Sequence, residues 1–287
     1  MKPASFDYHR PSSLAETFDL LDRYGDDARI LAGGQSLVPA LNMRLATPRA
    51  VIDINRLPGL DAIRVAPEGL VIGALARHDA VETSPLVREH APLIAVAMPH
   101  VGHAAIRTRG TFGGSLALAD PAAELPACAV ALEATIRVSS RRGRRDVAAV
   151  DFFRGIYTTA LEPGEIVTEV VVPKTTAGWR SGFDELARRH GDFALAGLAA
   201  RAWIEDRTLR ESRLVFFGVG PGPVRARAAE AALADRPVDA EALATAGRAL
   251  DGDLDPPGDI HGSPALRRHL ARVLLSRVVT RLAGERS

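Results

Sequence analysis

The chain is 287 residues long, 47% of its residues are hydrophobic, and its 36 Lys and Arg nearly balance its 35 Asp and Glu. This length supports two domains with cores of their own, and the balanced charge disfavours nucleic acid or an acidic membrane surface as a partner. The single cysteine, Cys128, excludes an internal disulfide, and it excludes an iron–sulfur cluster or a cysteine-rich zinc site built by this chain alone.

The N-terminal segment MKPASFDYHR lacks the apolar stretch of a signal peptide. No run of the sequence approaches the roughly 18 apolar residues of a membrane-spanning helix. We therefore expect a cytoplasmic protein with no membrane span and no nucleic-acid partner.

The first part of the chain predicts a β-α-β unit. Ser13 and Glu16 form a capping box that begins an amphipathic helix, and Gly25 ends it. A short strand at 29–31, a helix after Ser36 and a buried strand at 50–54 follow. Open α/β sheets usually bind ligands at the carboxyl end of such a first strand.

The segment at that position, LAGGQSL, predicts a nest for anionic phosphates. Gly33 and Gly34 permit backbone angles at which successive N–H groups converge on one point. Ser36 is the expected N-cap of the following helix, whose N-terminus favours the same anion. The predicted ligand loop comprises Leu31, Ala32, Gly33, Gly34, Gln35, Ser36 and Leu37.

The next segments predict a hairpin over 60–74 and two or three short helices over 78–101, interrupted by prolines. A second glycine pair then follows in TFGGS, at 111–115, and repeats the pattern of the first. Two such loops suit a diphosphate better than one does, so the sequence predicts a ligand that carries a diphosphate.

The rest of the chain predicts a helix at 124–131 and strands at 134–139 and 165–172, with the basic run 141–145 as a solvated hairpin turn and 174–178 as a linker. Antiparallel strands at 183–189, 194–204 and 213–218 precede helices at 224–234, 240–250 and from Ser263 onward. Strands followed by helices indicate an α+β C-terminal domain.

Common nucleotide motifs are missing around both glycine pairs. No Walker lysine follows either pair, and no GxGxxG follows the first strand. The segment GVGPGP at 218–223 contains two prolines that remove amide donors, so we interpret it as a structural turn. His100 and His103 form only an isolated pair and no GxSxG elbow occurs, so we expect no metal site and assign no catalytic residue.

Several polar residues near the second glycine pair have two interpretations. Asp120 and Glu124 can accept hydrogen bonds from ligand hydroxyls or cap the next helix, and capping is favoured for Asp120. Arg107 and Arg109 can pair with phosphate or with these acids, and their alternation predicts that one faces the site. Phe193 either fills the core or lies against a flat ring.

Five segments resemble, in order and spacing, the FAD-binding medium subunit of the molybdenum hydroxylases, the family of carbon monoxide dehydrogenase and xanthine dehydrogenase. The resemblance covers essentially the whole chain. The segments are AGGQSLVPALNMRLATPRAVIDI (32–54), IRTRGTFGGSLALADPAAELPACAVAL (106–132), LEPGEIVTEVVVP (161–173), GFDELARRHGDFALAG (182–197) and GVGPGPVRARAAEAAL (218–233).

This resemblance implies an α+β fold with two domains. The first, at 1–177, is a two-lobed FAD-binding domain of the vanillyl-alcohol oxidase (PCMH) type, with a small α/β lobe at 1–55 and a second lobe at 56–177. The second, at 178–287, is an α+β domain of the carbon monoxide dehydrogenase flavoprotein type, with an antiparallel sheet and helices.

The resemblance also implies contacts with FAD. The loops 32–36 and 111–115 would hold the diphosphate, Val101 and Gly102 would approach the cofactor, and Glu124 would meet the ribityl hydroxyls. Leu161 and Phe193 would lie near the rings. With the first loop, the expected cofactor-binding residues are then Val101, Gly102, Thr111, Gly113, Gly114, Ser115, Glu124, Leu161 and Phe193. No histidine lies between Arg10 and His78, so we expect non-covalent FAD.

The implied function is electron transfer. A large molybdenum-cofactor (molybdopterin) subunit and a small [2Fe–2S] subunit would be the partners, in a dimer of heterotrimers, and FAD would pass electrons to an outside acceptor. One alternative is an autonomous FAD-dependent oxidoreductase that acts directly on a small substrate. Another is a nucleotide-binding module without a redox role.

Overall fold

The computed structural model of the chain describes residues 2–189 and 191–284. Its helices are α1 (Leu14–Tyr24), α2 (Leu37–Asn42), α3 (His78–Thr83), α4 (Pro85–His90), α5 (Pro92–Ala97), α6 (Ala104–Arg107), α7 (Phe112–Leu118), α8 (Glu124–Ala131), α9 (Ala149–Phe152), α10 (Arg227–Leu233), α11 (Ala240–Asp253) and α12 (Pro264–Leu282). Its strands are β1 (Asp7–His9), β2 (Ala28–Leu31), β3 (Ala50–Asp53), β4 (Ile63–Ala66), β5 (Gly69–Gly73), β6 (Thr135–Ser140), β7 (Gly143–Ala148), β8 (Phe153–Gly155), β9 (Thr158–Thr159), β10 (Ile166–Pro173), β11 (Trp179–Leu186), β12 (Ala196–Glu205), β13 (Thr208–Phe217), β14 (Val224–Arg225) and β15 (Arg236–Pro237).

A three-stranded parallel sheet in the order β1-β3-β2 organises the first lobe. The predicted β2-α2-β3 unit is confirmed, whereas the sequence did not reveal β1. The Ser13 hydroxyl accepts the N–H of Glu16 and caps α1, and Gly25 ends that helix at φ +52°. The Glu16 carboxylate accepts the N–H of Ser12 instead of that of Ser13, so the predicted capping box is only half formed.

The second lobe is built on a five-stranded antiparallel sheet in the order β4-β5-β10-β6-β7. The predicted hairpin is β4 and β5, the proline-interrupted helices are α3, α4 and α5, and α8 has the predicted bounds. Strand β7 was not predicted, because four of its six residues are Gly, Arg or Asp. The basic run lies at the β6–β7 turn and in β7, and its arginines pair with nearby acids, including Arg142 with Glu162 and Arg145 with Glu165 at 2.6 Å each.

The third unit is an antiparallel sheet in the order β11-β12-β13-β14, with β15 paired to β13. Asp206 and Arg207 form the predicted turn between β12 and β13, at φ +46° and +63°. The first helix after the sheet begins at Arg227, and Val224 instead pairs with Phe216 in the sheet. No helix in the described ranges is long and apolar enough to cross a lipid bilayer.

This C-terminal sheet is covered on both faces. Successive side chains of a strand point to opposite faces, and Ala199 and Phe217 join the core of the second lobe, whereas Leu198 and Phe216 join a core with α10, α11 and α12. The two cores are therefore separated by a single layer of strands, which fixes the C-terminal unit against the second lobe.

The buried side chain of Arg267 on α12 ties the ends of two strands together. Its Nη1 donates to the carbonyl oxygens of Leu195 at 2.7 Å and Gly218 at 2.9 Å, and its Nη2 donates to Asp259 at 2.7 Å. Gly218 belongs to the segment GVGPGP, which is a structural turn as predicted, and its N–H donates to the carbonyl oxygen of Pro121.

We expect Arg267→Ala to lower the free energy of unfolding by about 3 kcal/mol, because it leaves buried carbonyl oxygens without donors. Urea unfolding of the full chain measures this loss. The matched control is Arg268→Ala, one residue along the same helix, whose ion-pair partner Asp255 is 99% exposed. Its effect should stay within about 0.5 kcal/mol, and equal losses in the two variants would contradict the assignment.

Candidate functional site

The two glycine-containing segments lie against each other, although many residues separate them in the sequence. A Cβ on Gly33 would lie 2.5 Å from the carbonyl oxygen of Arg109 and 2.8 Å from Cα of Gly110. A Cβ on Gly114 would lie 3.9 Å from Cβ of Ala32. The first lobe and the second lobe thus meet backbone to backbone at this point, and only glycine fits at position 33.

The first segment presents free backbone donors. Within residues 2–189 and 191–284, no protein acceptor takes the N–H groups of the four residues from Gly33 to Ser36. Gly34 has φ +74°, a conformation that favours glycine. Ser36 occupies the predicted N-cap position of α2, but its own backbone is helical and its hydroxyl makes no capping bond. The donors of this segment are therefore main-chain N–H groups alone.

The second segment is built differently from the first, contrary to the predicted repeat. Thr111 caps α7, and Gly113 and Gly114 lie in the first turn of that helix. The N–H of Gly113 donates to the carbonyl oxygen of Ala74 at 2.9 Å, and the N–H of Gly114 donates to the Thr111 hydroxyl at 3.2 Å. A Cβ on Gly113 would lie 2.5 Å from Cβ of Ala74. These glycines serve close packing, and their N–H groups have protein acceptors.

Ser115, in the first half of α7, is the residue of the second segment with an available polar side chain. It is half-buried, and its hydroxyl has no hydrogen-bond partner in the part of the chain that the structure describes. The preceding residue, Gly114, approaches Ala32 of the first segment, and a serine hydroxyl can donate to an anion. The arrangement offers one row of main-chain donors and a side-chain hydroxyl on the neighbouring helix.

A polar network that the sequence did not reveal lies behind the first segment. Asp53, at the end of β3, accepts hydrogen bonds from the Tyr8 hydroxyl and from both the main chain (2.9 Å) and the side chain (2.7 Å) of Asn55. Burial opposes ionisation of Asp53, but these hydrogen bonds outweigh burial and hold its pKa below the ordinary value. Asn55 extends this network to Ala32 of the first glycine segment, and Arg77 extends it to Arg109, two residues before the second.

Glu124 lies in the first turn of α8 at the junction with the C-terminal sheet. Burial raises the pKa of its carboxyl group to about 7, and the nearby Glu185 of β11 adds to the increase. Glu185 lies 3.5 Å from Nδ1 of His100, which raises the pKa of that histidine, and its Oε2 is buried without a hydrogen-bond donor among the described residues. Two carboxyl groups and a histidine therefore share a poorly hydrated space.

The structure corrects the two other polar predictions. Asp120 caps no helix: its Oδ1 accepts the N–H of Ala122 and its Oδ2 accepts the Tyr157 hydroxyl. Arg107 pairs with Glu82 at 2.7 Å, away from the predicted acids. The alternation argument fails because 104–107 is the helix α6 instead of a strand. Arg109 is exposed.

The remaining predicted site residues occur on separate elements. Val101 is buried, and Gly102 follows it at φ +53°. Leu161 packs against the core of the second lobe, whereas Phe193, between β11 and β12, is 74% exposed. Phe193 therefore does not fill the core. No group of three metal-ligating side chains occurs in the described ranges.

The pKa of Glu124 yields a pH dependence of stability. The folded chain holds a proton on this carboxyl group up to pH of about 7, against 4.5 for the ordinary group, so its stabilising contribution is complete below pH 4.5 and is lost as the pH rises through 7. We expect Glu124→Gln to unfold at nearly the same urea concentration as the unmodified chain at pH 5. At pH 8 it should be more stable by about 2 kcal/mol.

Urea titrations at both pH values check this expectation. The control is Glu241→Gln at the exposed start of α11, which should leave the profile unchanged. Parallel profiles for the unmodified chain and Glu124→Gln would contradict the burial of a proton at Glu124. The charges of Asp120, Glu185 and His100 also shift the pKa of Glu124, and these three residues are present in both variants.

Comparisons with known proteins agree with this architecture. A family model described as the FAD binding domain in molybdopterin dehydrogenase matches residues 4–175, and a model of the CO dehydrogenase flavoprotein C-terminal domain matches residues 181–282. Subunit alpha of the 6-hydroxypseudooxynicotine dehydrogenase complex of Paenarthrobacter nicotinovorans is 39% identical over 98% of this chain and 95% of its own length. Caffeine dehydrogenase subunit beta of Pseudomonas sp. (strain CBB1) is 40% identical over 99% and 96%.

A solved structure gives the same result at the level of the fold. A chain of carbon monoxide dehydrogenase from Hydrogenophaga pseudoflava superposes with a TM-score of 0.96 and 37% identity, over 99% of each chain. The resemblance found in the five sequence segments is thereby confirmed. The chain belongs to the family of FAD-binding medium subunits of molybdenum hydroxylases, and it is an oxidoreductase subunit.

Proposed function

We propose that this chain accepts electrons from the [2Fe–2S] clusters of a partner subunit and passes them, through FAD, to an external acceptor. The observation that carries the proposal is the row of free N–H groups from Gly33 to Ser36 in a chain whose one thiol lies inside a helix. Cys128 is the one cysteine of the chain and its side chain is fully buried, so this chain cannot supply the set of thiolate ligands that a cluster needs. This chain contributes a flavin site, and the iron–sulfur clusters belong to a partner.

The residues present fit the FAD diphosphate at the first glycine segment. A diphosphate carries negative charge and needs several donors, and four main-chain N–H groups without protein acceptors provide them beside the Ser115 hydroxyl. We call the free N–H groups of residues 33–36 the donor row. This row, and the absence of a Cβ at Gly33 and Gly34, are features of this chain's own backbone. The segment 111–115 then lines the site through packing and its hydroxyl groups, instead of through N–H donation.

The other expected contacts extend the site toward the C-terminal sheet. The Glu124 carboxyl group, with its raised pKa, is positioned at the junction to bond the ribityl hydroxyls, and it can both donate and accept near neutral pH. The exposed ring of Phe193 provides a flat apolar surface for the flavin rings. Val101, Gly102 and Leu161 complete the expected lining.

Bound FAD supplies the redox chemistry, which no side chain of this chain can perform. The chain binds and orients the cofactor through the N–H groups of residues 33–36. The Glu124 carboxyl group, whose pKa is raised to about 7 by burial and by the nearby Glu185, holds an exchangeable proton at the junction of the two cores. The packed C-terminal sheet excludes water from one side of that junction.

We propose a large molybdenum-cofactor subunit and a small [2Fe–2S] subunit as the partners, in a dimer of heterotrimers, in the cytoplasm. The names of the relatives support a shared assembly: one is a carbon monoxide dehydrogenase medium chain, and another is a subunit of a dehydrogenase complex. Essentially the full length of this chain matches each of them. The substrate would then be oxidised by the large partner.

Flavin retention should depend on Gly34. Gly34→Val places a branched side chain at φ +74°, with Cβ 3.1 Å from Leu31 Cδ1 and from Val38 Cγ2, and so distorts the donor row. We expect the flavin content of the purified chain to fall about tenfold or more, which corresponds to roughly 1.4 kcal/mol of binding free energy. The ratio of flavin to protein absorbance measures it.

The matched control is Gly164→Val, which imposes the same backbone strain at φ +80° but brings its Cβ no closer than 4.0 Å to another group, Oδ1 of Asp22. It should retain flavin. Both tryptophans, Trp179 and Trp203, lie in the C-terminal sheet, so their fluorescence after flavin removal reports whether that unit stays folded. Full flavin content in Gly34→Val, with a native tryptophan spectrum, would contradict the proposed site.

Capture of the tagged chain from its native host tests the whole proposal. We expect two companion chains that bring molybdenum and iron, and we expect acid precipitation to release the flavin into the supernatant because no covalent link holds it. A chain that is captured alone and whose flavin is bleached directly by an organic substrate would instead establish an autonomous oxidoreductase. Flavin that remains on the acid pellet would contradict non-covalent binding.

A further inference from the structure

The orientation of the peptide between Ala32 and Gly33 is set by a side chain outside both glycine segments. The carbonyl oxygen of Ala32 accepts a hydrogen bond of 2.8 Å from Nδ2 of Asn55. In a planar trans peptide the C=O and the N–H point in opposite directions. The N–H of Gly33 therefore points away from Asn55, toward the side on which the donor row is free.

A 180° rotation of the side-chain amide of Asn55 would break several hydrogen bonds. Its Nδ2 also donates to Asp53 at 2.7 Å, and its Oδ1 accepts from Nη2 of Arg77 at 2.6 Å. Asp53 is in turn held by the Tyr8 hydroxyl. Because the donor side faces a carboxylate and the acceptor side faces a guanidinium, only one amide orientation satisfies both neighbours.

Arg77 connects this amide to the second lobe. Its Nη1 donates to the carbonyl oxygen of Arg109, the same atom that approaches the position of the missing Cβ on Gly33. A planar guanidinium can bond Asn55 and Arg109 at once, whereas a lysine ammonium on a flexible stem has no such fork. We call Asn55 and Arg77, with these bonds, the Asn55–Arg77 clamp.

The clamp also places positive charge behind the first segment. Burial and the neighbouring Arg109 lower the pKa of Arg77, but arginine remains charged at any physiological pH. Arg109 makes no ion pair within the described ranges, and its side chain is exposed. Two neighbouring guanidinium groups at the contact between the two lobes make the local potential positive, which favours an anion over a neutral ligand.

We propose that Asn55 and Arg77 are positioning residues for the diphosphate of FAD: the clamp orients the Ala32–Gly33 peptide and fixes the spacing between the two glycine segments. This inference rests on the proposed function, in which the first segment holds that diphosphate. The clamp sets the affinity for the phosphate part of the cofactor, and it leaves the affinity for the flavin rings unchanged.

Two variants of the full chain, freed of flavin, test the clamp. Asn55→Leu keeps the approximate size of the side chain and adds no charge, but it removes the donor to Ala32 and the acceptor for Arg77. Arg77→Lys keeps the charge but removes the fork. The control is Arg64→Lys on the edge strand β4, where Arg64 pairs with Glu169 at 2.7 Å.

The affinities for FAD, ADP and riboflavin are measured by fluorescence titration and by competition. We expect both clamp variants to bind FAD and ADP about tenfold more weakly, because the Ala32–Gly33 peptide is no longer held in one orientation. Riboflavin, which has no phosphate, should bind all variants equally well, and Arg64→Lys should match the unmodified chain for every ligand. The melting temperature of each flavin-free variant separates binding from folding.

Equal losses for riboflavin and ADP, or no loss for ADP in either variant, would overturn the positioning role while leaving FAD binding intact. A clamp variant with an unchanged melting temperature and a selective loss of ADP binding would support it. An unmodified chain that binds neither FAD nor ADP would overturn the proposed function itself, and the inference with it.

Discussion

Direct backbone contact between the first lobe and the second lobe is the constraint on which the candidate site depends. At Gly33 the approach is so close that no side chain fits before the carbonyl oxygen of Arg109 is reached. Two segments that are distant in the chain thus share one surface. Hydrogen bonds from Asn55 to Ala32 and from Arg77 to Arg109 stabilise this contact on the side away from the free N–H groups. The N–H groups of the first segment are therefore left without protein acceptors on its other side.

The C-terminal sheet fixes the surroundings of Glu124. The sheet is a single layer of strands between two apolar cores. Side chains that alternate along each strand pack into one core or the other. Glu185 on this sheet faces His100 and the start of α8. The electrostatic state of Glu124 is therefore set by residues of both units, and it depends on the docking of the sheet.

The sequence was informative where local rules decide the structure. Helix α8, the β4–β5 hairpin and the cap at Ser263 follow from periodicity, turn residues and capping chemistry, and each is found in the structure. The similarity of the five segments to a known family also identified the fold, because several ordered motifs together are far more specific than one glycine pair.

Long-range partners were the part that local rules could not supply. AGGQS and TFGGS look alike, but helix α7 begins at Phe112 and the carbonyl oxygen of Ala74 takes the N–H of Gly113, which no local pattern reveals. Asn55 and Arg77 are 22 residues apart and belong to no motif, so only the folded chain brings them together. The alternation of Arg107 and Arg109 was misleading because the four-residue helix that contains Arg107 is too short to show a helical period.

The position of Cys128 has a consequence for how this protein meets reactive oxygen and thiol reagents. The side chain is fully buried in α8, and its pKa is raised, so it is both inaccessible and protonated in the native state. Oxidation or alkylation can reach the sulfur only when the core of the second lobe opens. The one thiol of the chain is thus protected for as long as the fold persists, and its modification marks molecules that have unfolded.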